Sequence, residues 1–395
     1  MRYATNSTRT IKTANTFLVL DIIRKSGQIT IEEIVHTSQL SRPTVLSIIE
    51  DQVQRSVIER TGFAESSVGR QPVLYALNTS SFFSIGIDFE FPPVRLTVVD
   101  LSGAIRYEKM WTCSFSMDKD SIIQLLVQNI QLALDFMQIT CENIIGIGLG
   151  TPGTVNKKTN MSEIISRIPE WNKAPLSEIL GDYFPVPIYV RNDAHLMSMA
   201  AQSNLMLDGQ DFLYIAYRTG IGMAIIRDGI LSEGSFGNSG YIGHTTVDIN
   251  GDLCSCGRRG CLETFASKAT IERKYAQVKN LDSKVDFNEI LHLAGQNDPL
   301  AVDILETAGM YFGVAIANAV KMLDIYTIVI DDLTCSADHI FIRSIQKTVD
   351  RYCQNYALQP IRVIPNQLSK RDYALGAALF VLDTFFQKPK LKLSI

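Results

Sequence analysis

The sequence predicts an α/β chain in two parts: a head of three helices and two strands over residues 1–78, and a body of two α/β lobes. Three observations predict it. Apolar residues recur at helical spacing three times before residue 55 and then give way to two short apolar runs. From residue 83 on, strand-like runs alternate with helical patterns, as in sheets covered by helices. That theme is stated twice, which implies two lobes with a cleft between them.

At 395 residues the chain is long enough for two or three domains, each burying its own core. The first residues lack a basic run followed by an apolar stretch, and no apolar run was seen to approach the roughly 20 residues that span a bilayer. The expected location is the cytoplasm, without a membrane partner, where seven cysteines are not expected to form a disulfide framework. Formal net charge is −4, but residues 1–78 hold nine Lys/Arg against seven Asp/Glu. The head alone therefore has the sign that tolerates nucleic acid.

In the head, Phe17, Leu18, Leu20, Ile22 and Ile23 give the first helix one apolar side, and Ser26-Gly27 ends it. Thr30 can cap a second helix, with Glu32 and Glu33 at its positive end. Ser41 can cap a third, with Pro43 in the first turn, where a missing N–H costs nothing. Val45, Ile48 and Ile49 point inward, leaving Arg42, Pro43, Thr44 and Ser47 outward. A helix opening "SRPTV" has the shape of a recognition helix that reads base edges in a major groove. Residues 57–60 and 72–77 read as strands, and "TGFAESSVGR" between them as a wing with Arg70 placed to meet phosphate or the minor groove. Together these make a winged helix-turn-helix for double-stranded DNA. Glu50 and Asp51 on the third helix count against it, and the alternative is a packing or docking module.

After a polar joint at 78–82, strands are expected at 83–88, 94–100, 144–149, 186–190, 212–217, 222–226 and 327–330. Helices are expected at 121–137, 176–180 and 300–323. The stretch "GDLCSCGRRGC" (251–261) then places Cys254, Cys256 and Cys261 on one tight loop, with His244 ten residues before the first. Three thiolates and one imidazole make a closed tetrahedral site. It suits structural Zn²⁺, because no position is left for water.

With these residues in place, the chain resembles the ROK family of repressors, open reading frames and kinases. The likeness is strongest to its sugar-responsive repressors with an N-terminal winged helix. The stretches that carry it are "GIGLGTPGTV" (146–155), "VPIYVRNDAH" (186–195), "TGIGMAIIRDGIL" (219–231), "GNSGYIGHTTVD" (237–248), "CSCGRRGCLE" (254–263) and "LGAALFVL" (375–382); "SRPTV" and "GRQP" mark the repressor head. The resemblance implies an actin-like, sugar-kinase type ATPase fold. One lobe would span 83–195 with 373–395 and the other 196–372, in a homodimer or tetramer. It puts sugar contacts on Asn192, Asp193, His244 and Glu263, with Tyr241 where the family has a glutamate. That exchange replaces a bidentate grip on hydroxyls with one donor and an aromatic face. A third possibility that the resemblance allows is sequestration by a transporter-domain protein.

The resemblance also places Asp193 at the general-base position of the kinases, here expected to be vestigial. The first phosphate loop reads Asp88-Phe-Glu-Phe-Pro92 without glycine, and the second begins at Arg218. The late-strand glycine pair is Asp331-Asp332, read as two charges repelling ATP. The expectation is a transcriptional regulator without enzymatic activity. It would hold palindromic operator DNA as a symmetric dimer and respond to a sugar or sugar phosphate, with an ATP-dependent sugar kinase as the alternative.

Overall fold

Capping chemistry sets the head. The computed structural model describes residues 8–65, 71–89, 93–113, 117–164, 171–281, 283, 285–366, 368 and 372–386. Helix α1 (Thr8–Ser26) leads to the short strand β1 (Ile29–Thr30) and helix α2 (Ile31–Ser38). The Thr30 N–H donates to Glu33 Oε2 at 2.8 Å while Thr30 Oγ1 accepts from the Glu33 N–H, a reciprocal box that satisfies two otherwise unpaired donors. The Thr30 N–H foremost, and the Thr30 hydroxyl, which also donates to Oε2 at 2.8 Å, hold the Glu33 carboxyl below its usual range. Helix α3 (Arg42–Gln54) starts on Ser41, whose Oγ accepts from the Thr44 N–H at 3.4 Å. Strands β2 (Ile58–Phe63) and β3 (Val73–Leu77) complete an antiparallel sheet in the order β1-β3-β2. Val19, Ile23, Ile34, Val45, Ile49 and Ile58 form its core. Strand β2 runs three residues past expectation, and the Ala64 N–H donates to the Pro72 carbonyl. The loop is thus shorter than the sequence suggested, and its tip, with Arg70, lies outside the described residues.

The joint at 78–82 is tied down. The Asn78 N–H donates to the Val57 carbonyl, Asn143 Nδ2 donates to the Ser81 carbonyl at 3.0 Å, and Phe82 packs on the head core.

In the body, strands β4 (Phe83–Asp88), β5 (Val94–Asp100) and β6 (Ile105–Trp111) form an antiparallel meander. Helix α4 (Lys119–Met137) and strand β7 (Ile144–Thr151) follow, then the hairpin β8 (Thr154–Asn156) and β9 (Met161–Ile164). Next come helix α5 (Leu176–Gly181), strand β10 (Ile188–Asn192) and helix α6 (Asp193–Asn204). A second meander comprises β11 (Phe212–Tyr217), β12 (Ile221–Arg227) and β13 (Ile230–Leu231). It is followed by helices α7 (Glu263–Ala266), α8 (Lys268–Lys279), α9 (Phe287–Gly295) and α10 (Pro299–Leu323). Strand β14 (Thr327–Asp331), helix α11 (Ile340–Cys353), strand β15 (Arg362–Pro365) and helix α12 (Asp372–Phe386) end the fold.

Two compact units result. One holds the described residues up to 149, with 175–190 and those from 377 on; the other holds 150–174 and 191–376. The head groups with the first. Residues 150–174, 191–195 and 373–376, expected in the first lobe, group with the second. The first unit's sheet runs β10-β7-β4-β5-β6 and the second's β13-β12-β11-β14-β15. Counted within each five-stranded sheet, both read third, second, first, fourth, fifth, the first sheet taken from its β6 edge. One strand order is used twice, as the repeated sequence theme implied.

Helix α10 is, by length and composition, apolar enough to cross a membrane. Of its apolar window 56% is buried, and Ile304, Leu305, Phe312 and Ile316 join the second unit's core with Phe341 and Ile345 of α11. That is the setting of a core helix.

Candidate functional site

All residues of the expected sugar and metal sites fall in the second unit. Asn192 is the N-cap of α6: its Oδ1 accepts from the Ala194 N–H at 3.0 Å, and its Nδ2 donates to the Gly153 carbonyl at 2.9 Å. Asp193 follows at the helix's positive end, where a carboxylate is favoured. Tyr241 donates its hydroxyl to the same Gly153 carbonyl at 3.1 Å. Burial first, and the nearby Asp193 charge second, hold that hydroxyl protonated far above the ordinary phenol range. His195, 1% exposed, ties the two segments together, its Nε2 lying 2.9 Å from the Ser239 carbonyl. Burial pulls the His195 pKa down, which favours a neutral ring.

Glu263 opens α7 with its two oxygens on different tasks. Oε1 accepts from the Ile221 N–H at 3.0 Å, fixing the turn between β11 and β12, and Oε2 lies 3.9 Å from His244 Nδ1. Asn192, Asp193, Tyr241, His244 and Glu263 therefore bring amide, carboxylate, phenol and imidazole groups onto neighbouring segments of one unit. Such groups can read hydroxyls.

The metal-ligating atoms of His244, Cys254, Cys256 and Cys261 all lie within 4.8 Å of one another. Cys254 Sγ is 3.7 Å from His244 Nδ1, and Cys256 Sγ is 3.6 Å from Cys261 Sγ. Tetrahedral zinc with Zn–S bonds of about 2.3 Å has S···S edges of about 3.8 Å, close to the Cys256–Cys261 separation, so the donor set suits that ion. A disulfide needs about 2.05 Å, and all seven cysteines are free. Burial and the adjacent Cys256 and Cys254 thiols push the Cys261 thiol up to about 12. A thiol so placed holds its proton until a cation shares the charge.

The loops expected to meet nucleotide carry charges with partners. Asp88, 2% exposed, accepts from Arg95 Nη1 at 2.7 Å, its register partner on β5; residues 90–92 of that loop lie outside the described residues. Asp331 is buried and accepts from the Tyr214 hydroxyl (2.8 Å), Asn366 Nδ2 and the Leu368 N–H. Asp332 takes φ 59°, a left-handed value suited to glycine, and pairs with Lys268 Nζ at 2.6 Å. Asp332 thus has a cation beside it, while Asp331 has neutral donors only, and burial raises its carboxyl above the usual range. Sequence reasoning missed Arg95, Lys268 and the role of Arg218. Only Arg95 had a signal, its place opposite Asp88 in the hairpin. Arg218, 7% exposed, lies with Nη1 3.8 Å from Asp193 Oδ2.

On the head, Arg42, Pro43 and Ser47 are exposed and Thr44 is half-buried, its Oγ1 2.8 Å from Ser41 Oγ. Arg42 Nη2 pairs with Glu32 Oε1 at 3.0 Å across two exposed side chains, a contact weak enough to yield to phosphate. Asp51 is paired with Arg55.

A model of the ROK family matches residues 84–384. The xylose repressor of Bacillus spizizenii is 27% identical over 385 residues, covering 96% of this chain and 98% of its own. Two solved structures share the fold. One is a ROK family transcriptional regulator described as a homologue of the E. coli MLC protein: 23% identical, TM-score 0.79, covering 95% of this chain and 97% of its own. The other is the ROK hexokinase of Thermus thermophilus: 24% identical, TM-score 0.64, covering 75% of this chain and 97% of its own.

Proposed function

The chain belongs to the ROK family, and on that premise we propose that it is a cytoplasmic DNA-binding transcriptional regulator of carbohydrate genes, a repressor released by a sugar or sugar phosphate. Residues 1–78 are the winged helix-turn-helix head and the remainder is the actin-like body, active as a homodimer or tetramer on a palindromic operator. The observation that carries this reading is the outward face of α3. It presents Arg42, Pro43, Thr44 and Ser47 on a helix held from behind by Val45, Ile48 and Ile49. The likeness to a named repressor over 96% of the chain, head included, supports it.

Asn192, Asp193, Tyr241, His244 and Glu263 are the effector contacts. Zn²⁺, held by His244, Cys254, Cys256 and Cys261, is structural: it fixes the loop that carries His244 and so the orientation of the imidazole. We read the body as a non-enzyme. In a kinase Asp193 would take a proton; here Arg218 faces it, and Arg95 occupies the Asp88 carboxylate. Both pairings occupy carboxylate oxygens that phosphoryl transfer would need for substrate and nucleotide.

Mobility shift on the chain's own upstream DNA should show specific binding that weakens steeply with salt. No specific site after selection over genomic fragments would overturn the reading. The shared fold of a hexokinase makes ATP consumption the second test. Turnover on pentoses, hexoses or N-acetylhexosamines that disappears in Asp193→Asn would restore the enzyme.

A further inference from the structure

We infer that Arg218 is a positioning residue that carries the state of the effector site to helix α12, and through that helix to the head. The inference rests on the reading of Asp193 as an effector contact. Besides Asp193, the buried guanidinium meets Met197 Sδ at 3.2 Å and stacks over the ring of Tyr373, 4.3 Å from its centroid. Tyr373, 6% exposed, is the second residue of α12. One turn on, Gly376 presses on α6: a Cβ there would overlap the Leu196 carbonyl. The first turn of α12 is thus seated on the helix whose N-terminus holds Asn192 and Asp193.

From Ala377 on, the same helix belongs to the first unit. The Ala378 carbonyl accepts from Ser84 Oγ at 2.9 Å, and Leu382 and Phe386 complete the head's core. Asp383 Oδ1 accepts from Arg24 Nη1 of α1 at 2.6 Å, and that guanidinium lies 5.0 Å from the Phe386 ring centroid. A helix of 15 residues is a rod about 22 Å long, stiff against bending because each turn is bonded to the next. A hydroxyl donating to Asp193 competes with Arg218 for the carboxylate. The guanidinium then leans on Tyr373, and the rod transmits the change. The ligand acts through the difference in Arg218 contacts between two arrangements, as any coupling requires.

The test uses the full-length chain loaded with Zn²⁺ and three variants: Arg218→Met, Tyr373→Leu and Tyr373→Phe, the last keeping the ring face. Amide hydrogen exchange should quicken about tenfold or more in residues 379–386 and 17–25 for the first two and stay unchanged for Tyr373→Phe. Quickening confined to residues 212–223 and 372–376 would overturn the inference, whatever the sugar. D-xylose, D-glucose and N-acetylglucosamine are then titrated against operator-bound protein. A sugar that weakens wild-type binding should still raise the melting temperature of Tyr373→Leu but lose at least about fivefold of its effect on DNA. Full retention of that effect also overturns the link. If the wild type binds neither DNA nor any sugar, the functional reading falls, while the exchange data still decide whether Arg218 reaches the head.

Discussion

Tyr241 commits its hydroxyl to a carbonyl that Asn192 already uses, so the phenol closes a loop as well as lining a site. Tyr241→Phe should therefore cost only about 1 kcal/mol in chemical denaturation, since Gly153 keeps one donor. Its effect on a sugar's melting-temperature shift should exceed its effect on stability if the hydroxyl also faces the effector. At the metal, Cys256→Ser should lower zinc from one equivalent per chain, read by elemental analysis, and lower the melting temperature. The gathering of His244, Cys254, Cys256 and Cys261 was legible because their spacing in the sequence is that of a metal-binding loop. Arg218 was not, since Asp193, Met197 and Tyr373 approach it from segments far apart in sequence, and only folding brings them together.

Among elements, the head helices were legible from their caps. Thr30→Ala should destabilise by about 1 kcal/mol in thermal unfolding. Because Glu33 titrates below its usual range in the folded state, the box contributes at neutral pH. Its contribution is lost as pH falls through the folded value. The stability gap between wild type and Glu33→Gln should accordingly shrink on acidification. Helix α11 was legible in principle, with Phe341, Ile342, Ile345 and Val349 on one side, and was passed over. Helix α12 was not: Ala374, Ala377, Ala378, Val381 and Leu382 are all almost fully buried, so little polar stripe marks a period. Gly376→Ala should be costly for so small a change, at about 1 to 3 kcal/mol or more in thermal unfolding. The backbone carbonyl it meets cannot rotate away.

For the whole molecule, the double use of one strand order shows what the repeated pattern in the sequence meant. The assignment of 150–174 to the second unit was hidden, because a strand pattern does not record which unit a separate two-stranded hairpin will pack with. Removing metal with a chelator should loosen the chain locally. Protease cutting should appear first within residues 245–261, while exchange in the head and in β4–β5 stays slow; a uniform loss of protection would argue against a local staple. The C-terminal helix has a last consequence, for synthesis. The head leaves the ribosome ahead of the body, yet Leu382 and Phe386, which fill its interior, are made only after the rest of the body. At about 5 to 20 residues per second, the nascent head waits roughly 15 to 60 s with an apolar gap. A chain stalled or clipped short of residue 380 would carry a reading helix without the floor that holds it, so only copies that extend past this helix would compete for operator sites.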